Sequence, residues 1–123
     1  IADCRKAIHL LGDYLHKEEL FGEEFYLTED GKVHGSYQEE YQLMPSYDEY
    51  LISYKSRQLV LSSEYKHKAH NNNGIFQPII AHKGVICGNW SPNSDELQPT
   101  FFLEEHRGNL QKEIDRYKNF LLK

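Results

Sequence analysis

The 123 residues predict an α+β chain in which an amphipathic helix and a two-stranded ribbon precede a small antiparallel sheet that carries a C-terminal amphipathic helix. Three observations carry that expectation. The run 74–90, GIFQPIIAHKGVICGNW, holds two β-rich stretches, Ile75 to Ala81 and Val85 to Asn89, separated by His82, Lys83 and Gly84, a short hairpin loop ending in glycine. Residues 2–16 place Cys4, Ala7, Ile8, Leu11, Tyr14 and Leu15 at helical spacing on one face. Residues 108–122 repeat the pattern with Leu110, Ile114, Tyr117 and Leu121, a stripe suited to docking on a sheet.

Between these landmarks each segment has its own signal. Glu18 to Phe21 and Glu24 to Thr28 read as two short strands around Gly22, so the first helix is followed by a wing-like ribbon. Residues 32–40 are polar with Gly and Ser and predict a linker with a boundary near Gly35. Tyr41 to Met44 predicts a strand; Pro45 and Ser46 then favour helix entry, and Tyr47, Tyr50, Leu51 and Tyr54 fall at helical intervals. Leu59 to Leu61 is β-capable, Ser62 to His70 is polar and helix-compatible, and Asn71 to Gly74 marks a loop. Within the hairpin, Pro78 lacks a backbone donor and predicts an edge or a bulge, while Gly88 beside Trp90 predicts a close approach by a neighbouring element. A third strand spans Pro99 to Leu103.

Composition narrows the class more than the function. With 39% hydrophobic residues the chain supports a modest core, and nine tyrosines supply amphipathic contact area without naming a ligand. Two distant cysteines, Cys4 and Cys87, do not make a disulfide scaffold and read as reduced structural residues. The absence of a long apolar run predicts a chain without a membrane span, and the expectation is a cytoplasmic protein. The start at Ile1, inside a helical pattern, predicts a piece of something longer. Net charge is −5 but segregated: residues 1–50 carry 4 Lys/Arg against 12 Asp/Glu, whereas residues 51–83 carry 5 against 1. A local cationic segment is what contact with phosphates requires, and the global acidity argues against strong non-specific DNA binding by this chain alone.

The candidate binding set is therefore Lys55, Arg57, Lys66, Lys68, His82 and Lys83, with Tyr47, Tyr50 and Tyr54 preceding it; a solvated loop and helix face would show the same charges. His67 and His70 share a face if helical, yet no cysteine and no HExxH-type carboxylate accompanies them, so the expectation is polar surface histidines, no metal and no cofactor. The doublets Glu18-Glu19, Glu23-Glu24, Glu39-Glu40 and Glu104-Glu105 read as solvated surface, because adjacent strand residues face opposite sides. Asp48 and Glu49 sit among aromatics, where a structural hydrogen bond is the simpler role than catalysis. No nucleophile elbow, phosphate loop or CxxC pair is present, and no catalytic residue is assigned.

The phrases LMPSYDEYLISYKSR, NNNGIFQPIIAHKGVICGNW and RYKNFL, together with ADCRKAIHLLGDYL, resemble the C-terminal part of the bacterial winged-helix DNA-binding family that includes interstrand-crosslink DNA glycosylases, the AlkZ-like group. The resemblance implies tandem winged helices followed by a small β-barrel-like domain. On that mapping residues 1–33 end a winged-helix unit, 34–40 are a linker, and 41–123 form the barrel-like sheet with its C-terminal helix. It also implies a Gln-x-Gln or Gln-x-Asp catalytic motif upstream. None of Gln38, Gln42, Gln58, Gln77, Gln98 and Gln111 forms one. Two positions depart from the family pattern: Ser56 stands between Lys55 and Arg57 where an Asp is usual, and Ser91-Pro92 follows Trp90 where a basic pair is usual.

The implied function is that of a non-catalytic scaffold or DNA-positioning domain in a winged-helix DNA-binding protein, a glycosylase for alkylated or crosslinked DNA, with double-stranded DNA as partner. The alternative from the acidic total and the tyrosines is a protein-interaction or structural module without nucleic-acid binding. A third, metal-hydrolase reading rests on His67 and His70 alone.

Overall fold

The computed structural model describes residues 2–28, 40–92 and 96–121. The chain divides into two compact units, residues 1–35 and 36–123. The expected linker 34–40 lies outside the described residues except for Glu40.

In the first unit, α1 spans Ala2–Leu11, a 3-10 turn covers Gly12–Tyr14, and strands β1 (Leu15–Leu20) and β2 (Glu23–Thr28) pair antiparallel from Leu15↔Thr28 to Leu20↔Glu23. The helix stops five residues short of the predicted His16. Gly12 takes φ +47°, a left-handed value that breaks the helical path and that only glycine adopts without strain. The ribbon turn also sits one residue earlier than predicted: Phe21 (φ 54°) and Gly22 (φ 76°) form its two central positions, in the sense that matches strand twist. Lys17 and Glu24 form an exposed ion pair across the ribbon. Cys4 is exposed and not a packing residue, whereas Cys87 is buried; both are free thiols.

The second unit is built on four antiparallel strands in the order β3 (Tyr41–Met44), β4 (Ile79–His82), β5 (Val85–Pro92) and β6 (Leu97–Phe101). The β4–β5 turn is a two-residue one, Lys83 (φ 52°) and Gly84 (φ 77°). The sheet is open, with β3 and β6 at its edges, so the implied barrel closure is not formed: four strands covered by helices on both sides are too few to curl into a ring. Pro99 lies in edge strand β6, where its missing donor costs no ladder bond on the outer side. Pro78 immediately precedes β4, and its carbonyl accepts from Trp90 N at 3.3 Å and Asn89 Nδ2 at 2.9 Å. The bulge falls later than that proline. Ile80 opposes Gly88 and Ala81 opposes Ile86, leaving Cys87 as the extra residue.

Ile79, Ile80 and Ala81 are all buried, the signature of a central strand covered on both faces. On one face Ile79 and Ile86 pack with Leu51, Leu61, Ala69 and Phe102; on the other Ile80, Cys87 and Trp90 pack with Leu97 and Leu110. The first face is covered by α2 (Glu49–Ile52), an irregular segment, a 3-10 turn Ser63–Tyr65 and α3 (Lys66–Ala69). The second is covered by α4 (Gln111–Leu121): Leu110 just before it and its Ile114 and Tyr117 meet the sheet while Leu121 stays exposed. Gly88 is required where β5 meets β6, since a Cβ there would stand 2.7 Å from the Thr100 carbonyl oxygen. Trp90 reaches across to β3 and donates its indole N–H to Met44 O at 2.8 Å, its ring edge-on to Tyr117 at 5.1 Å.

Two predicted elements differ. The tyrosine-spaced helix shrinks to Glu49–Ile52, because Asp48 caps it by accepting from Tyr50 N at 2.9 Å and Tyr47 before it adopts φ 61°. Leu59 to Leu61 form no strand. Their turn is closed by Arg57 O, which accepts from Val60 N and Leu61 N, and Val60 O takes the Ile86 N–H at 2.6 Å, so the segment is tied to β5 by a single bond. Among the described residues no helix is long and apolar enough to cross a membrane.

Candidate nucleic-acid interface

The irregular coverage of the first sheet face creates a cleft of about 220 Å³ lined by Lys55, Ser56, Arg57, Gln58, Ser63, Lys66 and His70 over the buried Leu61. Its walls follow from local chemistry. Ser62 caps the 3-10 turn by accepting from Glu64 N, and α3 then ends as His70 N donates to Lys66 O at 3.0 Å. The Asn71 side chain closes the following loop, its Oδ1 accepting from Asn73 N at 3.0 Å and Ile75 N at 3.1 Å. That loop returns the chain so that Phe76 bridges to His70, their rings stacked at 5.2 Å.

Phe76 organises the site, and sequence reasoning missed it. Its ring also meets Tyr47 at 5.8 Å and lies 5.5 Å beneath the Arg57 guanidinium carbon. Arg57 in turn donates from Nε to Leu51 O, a carbonyl in the last turn of short helix α2. One arginine thus holds α2 against the Phe76 loop and brings a cation to the cleft. No motif marks this; a Phe two residues after an Asn-Asn-Asn-Gly turn is the nearest hint.

Of the six predicted cations the cleft gathers Lys55, Arg57 and Lys66, with His70 as a fourth basic group. The other three are elsewhere. Lys68 Nζ lies 5.3 Å from the rings of both Tyr65 and Phe102, His82 stacks on Tyr41 at 4.3 Å on the opposite sheet face, and Lys83 forms the β4–β5 turn. His82 and Lys83 therefore do not line the cleft.

Burial, reinforced by the charges of Arg57 and Lys66 and only partly offset by a backbone bond at Asn71, pushes His70 below the ordinary histidine value. Its Nε2 is buried and has no hydrogen-bond partner among the described residues. His67 lies on α3 three residues earlier, and among the described residues no group of three or more His, Cys, Asp or Glu side chains stands together. Among the described residues the cleft is lined by cations, hydroxyls and an amide and by no carboxylate, a composition suited to an anion such as a backbone phosphate.

Fold and cleft together define an α+β unit with a cationic cleft on one sheet face. Over residues 5–120 the chain matches the family model described as DNA glycosylase AlkZ-like, and it belongs to that family. Among solved structures it is similar to the Streptomyces sahachiroi DNA glycosylase AlkZ, with a TM-score of 0.67 and 18% identity over 95% of this chain. That likeness is one of fold, and the chain spans 32% of the length of that protein. No curated protein matches significantly.

Proposed function

We propose that the chain is the C-terminal, non-catalytic part of a winged-helix DNA glycosylase acting on alkylated or crosslinked DNA in the cytoplasm, and that it positions the duplex by holding a backbone phosphate in the Lys55–Arg57–Lys66 cleft. The observation that carries the reading is the carboxylate-free cationic cleft in a member of a DNA glycosylase family. Phosphate contacts fix register and orientation without reading bases, which suits a piece that holds DNA while chemistry proceeds on another part of the protein. The first unit, a helix and a ribbon, is read as the end of a winged helix.

Lys55 and Lys66 are the residues to test, not Arg57, whose removal would also release α2. Both are exposed, so alanine there leaves the fold in place. In a duplex titration by fluorescence anisotropy across a salt series, Lys55→Ala/Lys66→Ala should weaken binding and flatten the log-log salt slope by about one, the share of the single phosphate held in the cleft. An unchanged slope would remove the cleft from the DNA interface.

A further inference from the structure

The second sheet face carries a larger opening, a cleft of about 450 Å³ between β3 and α4 lined by Gln42, Leu43, Met44, Glu113, Arg116, Tyr117 and Phe120. Its chemistry differs from that of the cationic cleft: one carboxyl group, Glu113, and one guanidinium, the largely exposed Arg116, stand among apolar and aromatic walls. Glu113, Tyr117 and Phe120 recur at four- and three-residue intervals on one stripe of α4, so a carboxyl group stands in line with two aromatic rings. Among the described residues Glu113 is the one buried charged side chain, at 9% exposure.

That burial is costly as it stands. Glu113 Oε1 is buried with no hydrogen-bond partner among the described residues. The other oxygen lies 3.7 Å from the largely exposed Arg116, beyond hydrogen-bond length. Lys112, one residue before Glu113, is engaged by Glu40. The place of Glu113 in the first turn of α4 favours a negative charge, but the helix end does not supply the hydrogen bond that the buried oxygen lacks. The walls beside it are a thioether, a phenol ring and the 75% exposed ring of Phe120.

An unpartnered carboxyl oxygen beside aromatic faces is complementary to a flat cation with N–H donors. A guanidinium satisfies each part: it donates to the carboxylate, stacks on the rings, and gives up hydration more readily than an ammonium. A neutral nucleobase would gain the rings and a hydrogen bond but no charge partner.

We propose that the β3–α4 cleft is a receptor for an arginine side chain of a protein partner, held by the Glu113 carboxylate and flanked by Tyr117 and Phe120. The site is independent of the DNA reading, since it shares no residue with the cationic cleft.

The sole tryptophan reports on it directly, because Trp90 touches both Tyr117 and Met44 O. Titration of the chain with N-acetyl-arginine amide should give a saturable change in Trp90 fluorescence. The isosteric, uncharged N-acetyl-citrulline amide should bind about tenfold more weakly or worse, and Glu113→Gln should lose a similar factor. Phe120→Ala, which removes an exposed ring and leaves the core intact, should also weaken the arginine probe. No saturable response, equal binding of the citrulline probe, equal binding by either variant, or saturation by guanosine without saturation by the arginine probe would each overturn the proposal.

Discussion

The two faces of the four-stranded sheet differ in how charge enters their clefts. On the α2–α3 face two basic side chains have packing partners: Arg57 lies between Leu51 O and the Phe76 ring, and His70 stacks on the same ring. On the α4 face the charged group inside the stripe, Glu113, has one oxygen with no partner among the described residues. The first cleft is therefore coupled to local stability, and its ligand contacts must be probed through its peripheral lysines. The second carries an acid whose buried oxygen has no partner among the described residues, so the isosteric Glu113→Gln reports on binding with little disturbance of the packing.

The largest expected effect tests whether the two faces are equally packed beneath those clefts. Ile79 and Ile80 are adjacent, both at 0% exposure, and point to opposite faces. Ile79→Ala and Ile80→Ala should each cost about 2–5 kcal/mol in urea unfolding. A cost below about 1 kcal/mol for either would mean that its covering layer is not closely packed.

The next effect separates the clefts. Arg57→Ala removes the bond to Leu51 O and the cation over Phe76, and should destabilise the chain by about 1–3 kcal/mol. Arg57→Lys keeps the charge but not the Nε donor, and should recover only part of that loss in thermal unfolding. Glu113→Gln, by contrast, should leave the unfolding midpoint nearly unchanged. If Arg57→Ala unfolds at the wild-type midpoint, the anchoring role falls.

The sequence made the sheet legible and the clefts less so. Tyr41–Met44 was readable to the residue, because its apolar pattern is bounded by a polar stretch and a proline. The β4–β5 reversal was readable from Lys83-Gly84, and three of the four α4 stripe residues do pack. What failed was wherever tertiary contacts override local preference. Tyr47 and Tyr54 have helical spacing but lie outside α2, since the Asp48 cap and the Arg57 anchor bracket four residues only. Leu59 to Leu61 look like a strand yet form a turn that buries Leu61. Half of the predicted basic set reached one cleft, because charge clustering along the chain does not say which face of a sheet each residue will meet. Phe76 and Glu113 escaped notice for the same reason: one is an ordinary strand aromatic and the other an ordinary helix acid until long-range packing assigns them neighbours.

The smallest effect concerns protons. Because folding depresses the pKa of His70, the unfolded chain binds the extra proton first, so this residue's contribution is fully present above the ordinary histidine value of about 6.5 and is lost as pH falls below it. His70→Gln should remove that part of the acid sensitivity in unfolding curves taken from pH 7.5 down to 5. The same imidazole gives the most direct test of the claim that the cleft holds phosphate. Titrating the His70 ring by NMR in the free chain should show a depressed pKa. Adding duplex DNA should raise it, because a phosphate neutralises the Arg57 and Lys66 charges that hold it down. A His70 pKa unmoved by saturating duplex would contradict the account.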